Sequence, residues 1–72
     1  MNGYQALANA IVRLAAEDYR AAAKKLKKNP NYGMALDEME ELEDFFLSGW
    51  FATLTSLDGE VLLEKLEKEM WG

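Results

Sequence analysis

The stretch EDFFLSGWFATLTSLDGE, residues 43–60, decides the fold because it contains two helix breaks in close succession. Ser48, followed by glycine, interrupts a helical pattern and is a suitable N-cap for a short helical turn over residues 49–54. The segment TSLDGE that follows is typical of a loop, and Asp58 within it is a suitable cap for another helix. The stretch therefore predicts a short helical turn between two longer helices.

Two longer helical patterns precede this stretch and one follows it. Apolar residues recur at helical spacing over residues 4–27, and again from residue 32 or 34 to residue 47. Asn29 precedes a proline, a position that disfavours helix, and Asn29 or Asn31 is expected to cap the second helix. A last pattern runs from Gly59 to about Met70. We predict a single all-α domain over residues 1–72, a three-helix bundle with a short extra helical turn between helices 2 and 3.

The apolar stripes predict which side chains form the core. In helix 1 the stripe consists of Leu7, Ile11, Leu14, Ala15, Ala22 and Leu26, with Tyr19 near its edge. In helix 2 it consists of Leu36, Met39, Leu42 and Phe46, and by extension Trp50. In helix 3 it consists of Leu62, Leu63, Leu66 and Met70. Phe45 and Phe51 point about 100° away from the helix 2 stripe, and Leu47 points further still.

The composition leaves little for catalysis or metal binding. The chain has no cysteine and no histidine, which removes disulfides, thiolate metal sites, the commonest metal ligand and the commonest general base. Its serines occur in no nucleophile motif. We interpret its many carboxylates at i, i+4 spacing as a solvated face rather than as ligands for Mg²⁺ or Ca²⁺. We predict no enzyme, no cofactor, no metal site and no small-molecule substrate.

Charge is distributed unevenly along this acidic chain, whose net charge is −5. Residues 1–28 carry +4 and residues 29–72 carry −9. One helical face of the first segment carries the basic residues Arg13, Arg20, Lys24, Lys27 and Lys28. Such a stripe can neutralise phosphates, so the alternative function is a nucleic-acid-associated accessory factor. Our preferred explanation of the asymmetry is complementary charge between adjacent antiparallel helices. Because the acidic bulk also opposes a duplex, we expect no appreciable nucleic-acid binding.

The sequence also lacks signals for a membrane or for secretion. Its first twenty residues have no charged n-region before their apolar residues, and the uncharged run over residues 45–57 is too short to span a bilayer as a helix. We expect a cytoplasmic protein.

The corner over residues 45–54 is the candidate contact surface for a protein partner. A domain of this size cannot cover every apolar side chain, and an uncovered apolar patch marks an interaction site. The candidate residues are the apolar anchors Phe45, Leu47, Trp50 and Phe51 and the flanking acids Glu43 and Asp44, which would steer a basic partner. Burial of Leu47 and Phe51 in the core, or a homodimer seam formed by them, is an open alternative.

Several motifs recur together in one known group of proteins. They are Asp18-Tyr19-Arg20, Asn29-Pro30, FFLSGW at residues 45–50 and LTSLDGE at residues 54–60. Over about residues 10–67 the chain resembles a family of small uncharacterised proteins encoded in phages, prophages and mobile elements of low-GC Gram-positive gut bacteria. Family members often carry charged residues near Leu47 and Gly49, where this chain has none. No catalytic residue carries over from the resemblance, which implies an accessory protein of a mobile element.

Overall fold

The computed structural model describes residues 3–72, which form four α-helices and no strand. The helices are α1 (Gly3–Lys28), α2 (Gly33–Phe46), α3 (Gly49–Leu54) and α4 (Gly59–Trp71). α1 packs along α2, and α4 packs against both. The all-α prediction is confirmed, and α3 is the predicted short helix between two longer ones.

Two of the predicted helix caps are present. The Ser48 side chain accepts a hydrogen bond from the backbone N–H of Phe51 at 3.2 Å and starts α3. The Asp58 carboxylate accepts from the N–H groups of Glu60 and Val61 at 3.0 and 3.4 Å and starts α4. Both caps satisfy donors that would otherwise lack a partner in the first helical turn.

The predicted cap of α2 is wrong. Tyr32 occupies the N-cap position of this helix and makes no side-chain hydrogen bond there. Asn29 instead organises the loop, because its side chain accepts from the N–H of Asn31 at 3.3 Å and its carbonyl accepts from the N–H of Tyr32 at 3.1 Å. The hydrogen bonds of Asn29 are therefore made within the turn between α1 and α2, and neither asparagine caps α2, which begins at Gly33.

The core is built around a cluster of aromatic rings and a face of alanines. Phe45, Phe46 and Phe51 contact one another with ring centroids 5.6–5.7 Å apart in tilted and edge-to-face arrangements. Tyr19 is fully buried in the same core, so its predicted place at the edge of the stripe is wrong. The principal buried cluster contains Val12, Ala15, Tyr19, Ala22, Ala23, Leu26, Ala35, Met39, Phe46, Phe51, Leu63, Leu66 and Met70.

The buried face of α1 is rotated from the predicted one. Ala15, Ala22 and Leu26 are buried as predicted, but Leu7 and Leu14 are exposed. The small alanine side chains let the neighbouring helices approach α1 closely along a different face. α1 has 26 residues against 14 in α2 and 13 in α4, so these two helices are too short to cover all of it. In its N-terminal half Ala8 and Val12 are buried, whereas Leu7 and Leu14 are not.

The basic end of α1 is joined to α4 rather than to the acidic helix α2. Arg20 Nε lies 2.8 Å from Glu69 Oε2, and Lys27 Nζ lies 5.7 Å from the centre of the Trp71 ring. Within residues 3–72 no ion pair links α1 to α2, and the first turn of α2 carries no acid. The predicted charge pairing between these two helices is therefore wrong. The Arg20 and Lys27 contacts orient α4 parallel to α1.

Candidate protein-interaction surface

An open groove lies at the corner where α2, α3 and α4 meet. It has a volume of about 430 Å³, and its lining residues are Phe46, Leu47, Ser48, Phe51, Ala52, Leu57, Asp58, Gly59 and Glu60. We call it the corner groove. It forms because α3 leaves the direction of α2 at Ser48, and because Gly59 places the start of α4 directly against the end of α2.

Gly59 is required for this close approach. A Cβ atom built on Gly59 would lie 1.8 Å from the carbonyl oxygen of Phe46 and 3.0 Å from a ring carbon of Phe51. Only a residue without a side chain fits there. The base of the corner groove is thus a direct contact between α4 and the last carbonyl of α2.

The apolar rim of the groove is exposed to solvent. Leu47 exposes 59% of its surface and Leu57 exposes 56%. A second depression, lined by Leu57, Asp58, Val61, Leu62 and Lys65, adjoins the groove at Leu57. Leu47, Leu57 and Val61 therefore line two adjoining depressions, which extend the exposed apolar surface from the predicted corner onto α4.

Sequence reasoning missed Leu57 and Val61. Leu57 is the one large apolar residue of the TSLDGE loop and belongs to no helical stripe. Val61 precedes the α4 stripe and lies off its buried face. An apolar residue without a place in any stripe is the signal by which both could have been found.

The predicted roles of Trp50 and Phe51 are exchanged. Trp50 exposes 57% of its surface, so its assignment to the core is wrong, whereas Phe51 exposes 1% and belongs to the core, where its ring forms part of the groove base. The helical phase does not continue from α2 into α3, because Ser48 adopts an extended conformation with ψ of 159°. The turn directs Phe51 inward and Trp50 outward. Trp50 remains a candidate contact, although it does not line the groove.

The three remaining candidate contact residues occupy different environments. Phe45 is partly buried against Phe46 and Phe51, and Asp44 is exposed. Glu43 is partly buried, and this burial raises the pKa of its carboxyl group above the usual value, with the nearby carboxylate of Glu67 adding to the effect. Glu43 is therefore less accessible to a partner than Asp44, and Asp44 is the stronger candidate contact of the two acids.

Further acids surround the exposed apolar rim. Asp58 and Glu60 line the corner groove itself. On the outer face of α2, a shallow cleft is lined by Asp37, Glu40, Glu41 and Asp44. The field near the groove is negative, which favours a basic partner.

The basic residues of α1 do not form a free stripe. Glu69 engages Arg20, and Lys27 lies over Trp71. Arg13, Lys24 and Lys28 are exposed and form no ion pair within the described residues. Part of the positive charge that would meet phosphates is thus used to hold α4.

Two further classes of site are not found in the described part of the chain. Residues 3–72 contain no group of three or more acidic, histidine or cysteine side chains arranged to hold a metal ion. None of the described helices combines the length and the apolarity that crossing a membrane requires.

No protein-family model matches this chain, and no curated protein or solved structure is significantly similar to it. The family resemblance of its motifs therefore stays a prediction.

Proposed function

We propose that this protein is a non-enzymatic interaction protein that binds a basic, amphipathic protein segment in the corner groove. The observation that carries the proposal is the exposed apolar surface of Leu47, Leu57 and Val61 beside acidic side chains. An apolar rim around an open groove supplies anchor sites, and the surrounding carboxylates supply orientation.

The groove suits one face of a helix or an extended segment. Its base consists of the buried aromatic residues Phe46 and Phe51, which are held in place by the core. An apolar side chain of the partner would pack between Leu47 and Leu57. Lysine or arginine residues next to that side chain would face Asp58 and Glu60 in the groove wall. This division between apolar anchors and flanking charges is typical of helix-in-groove recognition.

We take α1, α2 and α4 as a three-helix scaffold that holds the groove, with α3 forming one of its walls. We propose a mobile-element accessory protein as the biological setting, on the basis of the motif resemblance.

The proposal is tested by affinity capture from host cells with a tagged chain. We expect the double substitution Leu47→Ser and Leu57→Ser to abolish capture of a basic partner and to leave the melting temperature unchanged, since both side chains are exposed. Met34→Ser is the matched control, because Met34 is exposed at the opposite end of α2. Equal capture by the wild type and the double variant would refute the groove as the contact.

A further inference from the structure

The N-terminal half of α1 carries an apolar face that is separate from the corner groove. Tyr4, Leu7 and Leu14 are each more than half exposed, and Ile11 is partly buried. Successive members of this set are three, four and three residues apart, which is the spacing of a coiled-coil seam. At 3.6 residues per turn this face lies roughly 90° from the buried face of α1. We call these four residues the α1 seam.

The molecule is more elongated than a compact monomer of its mass and exposes more surface. The chain exposes 5004 Å², whereas a compact monomer of 8.2 kDa exposes about 4,500 Å². Its radius of gyration is 12.8 Å, against roughly 11 Å for a compact domain of this length. Its longest dimension, 41 Å, matches the length of α1, about 39 Å. The N-terminal half of α1 therefore presents its seam to solvent.

Charge indicates which partner fits the α1 seam. The first charged side chain of the sequence is Arg13, so the helix surface around Tyr4, Leu7 and Ile11 is uncharged. A basic partner would find no acid there. A second copy of the chain would bring its own uncharged face, and the acids of residues 29–72 would stay away from the contact. An isologous contact between two copies is also the commonest form of self-association.

We propose that two copies of this chain associate through their α1 seams with the two α1 helices antiparallel. Leu7 then packs against the partner's Ile11, and Tyr4 packs against the partner's Leu14. Glu17 comes to lie beside the first turn of the partner's α1, a helix with no acid in its own first turn. A carboxylate at that end of a helix is favourable.

The antiparallel arrangement also separates like charges. The two Arg13 side chains lie at opposite ends of the contact, about 12 Å apart along the helix axis, which exceeds the screening length of about 8 Å at physiological salt. A parallel pair would instead place the two acidic bodies, which pack beside the C-terminal halves of the α1 helices, next to each other. Antiparallel helices also direct the two acidic bodies to opposite ends of the dimer.

The size of the contact sets its strength. Three side chains that are about half exposed and the partly buried Ile11 can bury at most roughly 100 Å² each on average, or up to about 800 Å² over both copies. This is less than the roughly 1,200 Å² of a stable complex, so the dimer is weak and reversible.

Sedimentation equilibrium between about 5 and 500 µM tests the proposal. We expect the mass to rise from 8.2 kDa toward twice that value with concentration. The double variant Leu7→Gln and Leu14→Gln should remain monomeric with an unchanged helical content and melting temperature. Leu36→Gln, which alters an exposed leucine on α2, is the matched control and should still dimerise.

Three outcomes would overturn the proposal, and each is distinct from failure of the corner groove. The first is a wild-type monomer throughout the concentration range, and the second is a dimer that survives the two seam substitutions. The third concerns orientation. Since the chain has no cysteine, a single nitroxide can be attached through Lys24→Cys. Antiparallel α1 helices place two such labels about 45 Å apart, and a distance below about 25 Å would show a parallel pair.

Discussion

Replacing Gly59 with alanine should destabilise the protein strongly, although alanine is normally the better helix former. The added Cβ would lie 1.8 Å from the Phe46 carbonyl oxygen, where ordinary contact begins at 3.4 Å. The obstructing atom belongs to the backbone, so no side-chain rotation can relieve the overlap. The start of α4 and the end of α2 must move apart by more than 1 Å, which loosens the packing of Phe46 and Phe51. Overpacking of this kind costs about 3 kcal/mol.

Gly49→Ala is the matched control for this substitution. Gly49 is also the first residue of a helix, directly after its cap, and its added Cβ would meet nothing within 4 Å. We expect Gly49→Ala to be neutral or to stabilise by up to about 1 kcal/mol. Thermal unfolding followed by circular dichroism measures both variants, and about 3 kcal/mol lowers the melting temperature of a domain of this size by about 12–24 °C. Equal melting temperatures for the two variants would refute the close contact between α4 and α2.

Three further predictions concern the core, a carboxyl group and nucleic acid. Phe51→Ala should cost about 3–5 kcal/mol of unfolding free energy because it leaves a cavity in the aromatic core, whereas Trp50→Ala should cost about 0.5 kcal/mol or less. Chemical denaturation measures both variants, and a larger loss for Trp50→Ala would contradict the exchanged roles. Glu43→Gln should stabilise the protein slightly at pH 7, because burial raises the pKa of Glu43 and folding therefore disfavours its charged form. This gain should disappear as the pH falls below the unfolded-chain pKa of about 4.3, and a gain that persists at pH 3 would contradict the reasoning. The wild type should not shift duplex DNA in a gel at about 150 mM salt; micromolar binding abolished by Arg13→Ala with Lys24→Ala would instead favour the nucleic-acid alternative.

The sequence predicts the helix order and the breaks well because these depend on local chemistry. Ser48 and Asp58 can each accept hydrogen bonds from the first turn of the helix that follows, and this capacity is visible without knowledge of the rest of the fold. Asn29 can accept such a hydrogen bond too, but its side chain accepts one from the N–H of Asn31 within the loop. The choice between a cap and a turn depends on where the next helix begins, which a single side chain does not determine.

The orientation of side chains across the Ser48 break could not be predicted from periodicity. A periodicity argument assumes one continuous helix. Leu47 and Ser48 lie between α2 and α3 and are not helical, so the argument does not hold across them. Trp50 and Phe51 are adjacent and both aromatic, so composition alone cannot assign the interior position. The same limit applies to Leu57, which reaches the candidate site only because Gly59 lets α4 start against α2.

The α1 stripe shows a different limit. Alanines occur on several faces of α1, and either the leucine face or the alanine face gives a plausible core at helical spacing. The lengths of α2 and α4, and the close approach that Ala22 and Ala23 permit, select the alanine face. Leu7 and Leu14 are consequently left exposed.

The central claim is that the corner groove binds a basic protein segment, and site-specific photocrosslinking in host cells tests it most directly. A photoreactive phenylalanine analogue replaces Leu47 in one variant and Met34 in another, so that two exposed apolar positions at opposite ends of α2 are compared. We predict one discrete adduct from position 47, with the crosslinked peptide rich in lysine or arginine, and no such adduct from position 34. The same adduct from both positions, or none from position 47, would contradict the account.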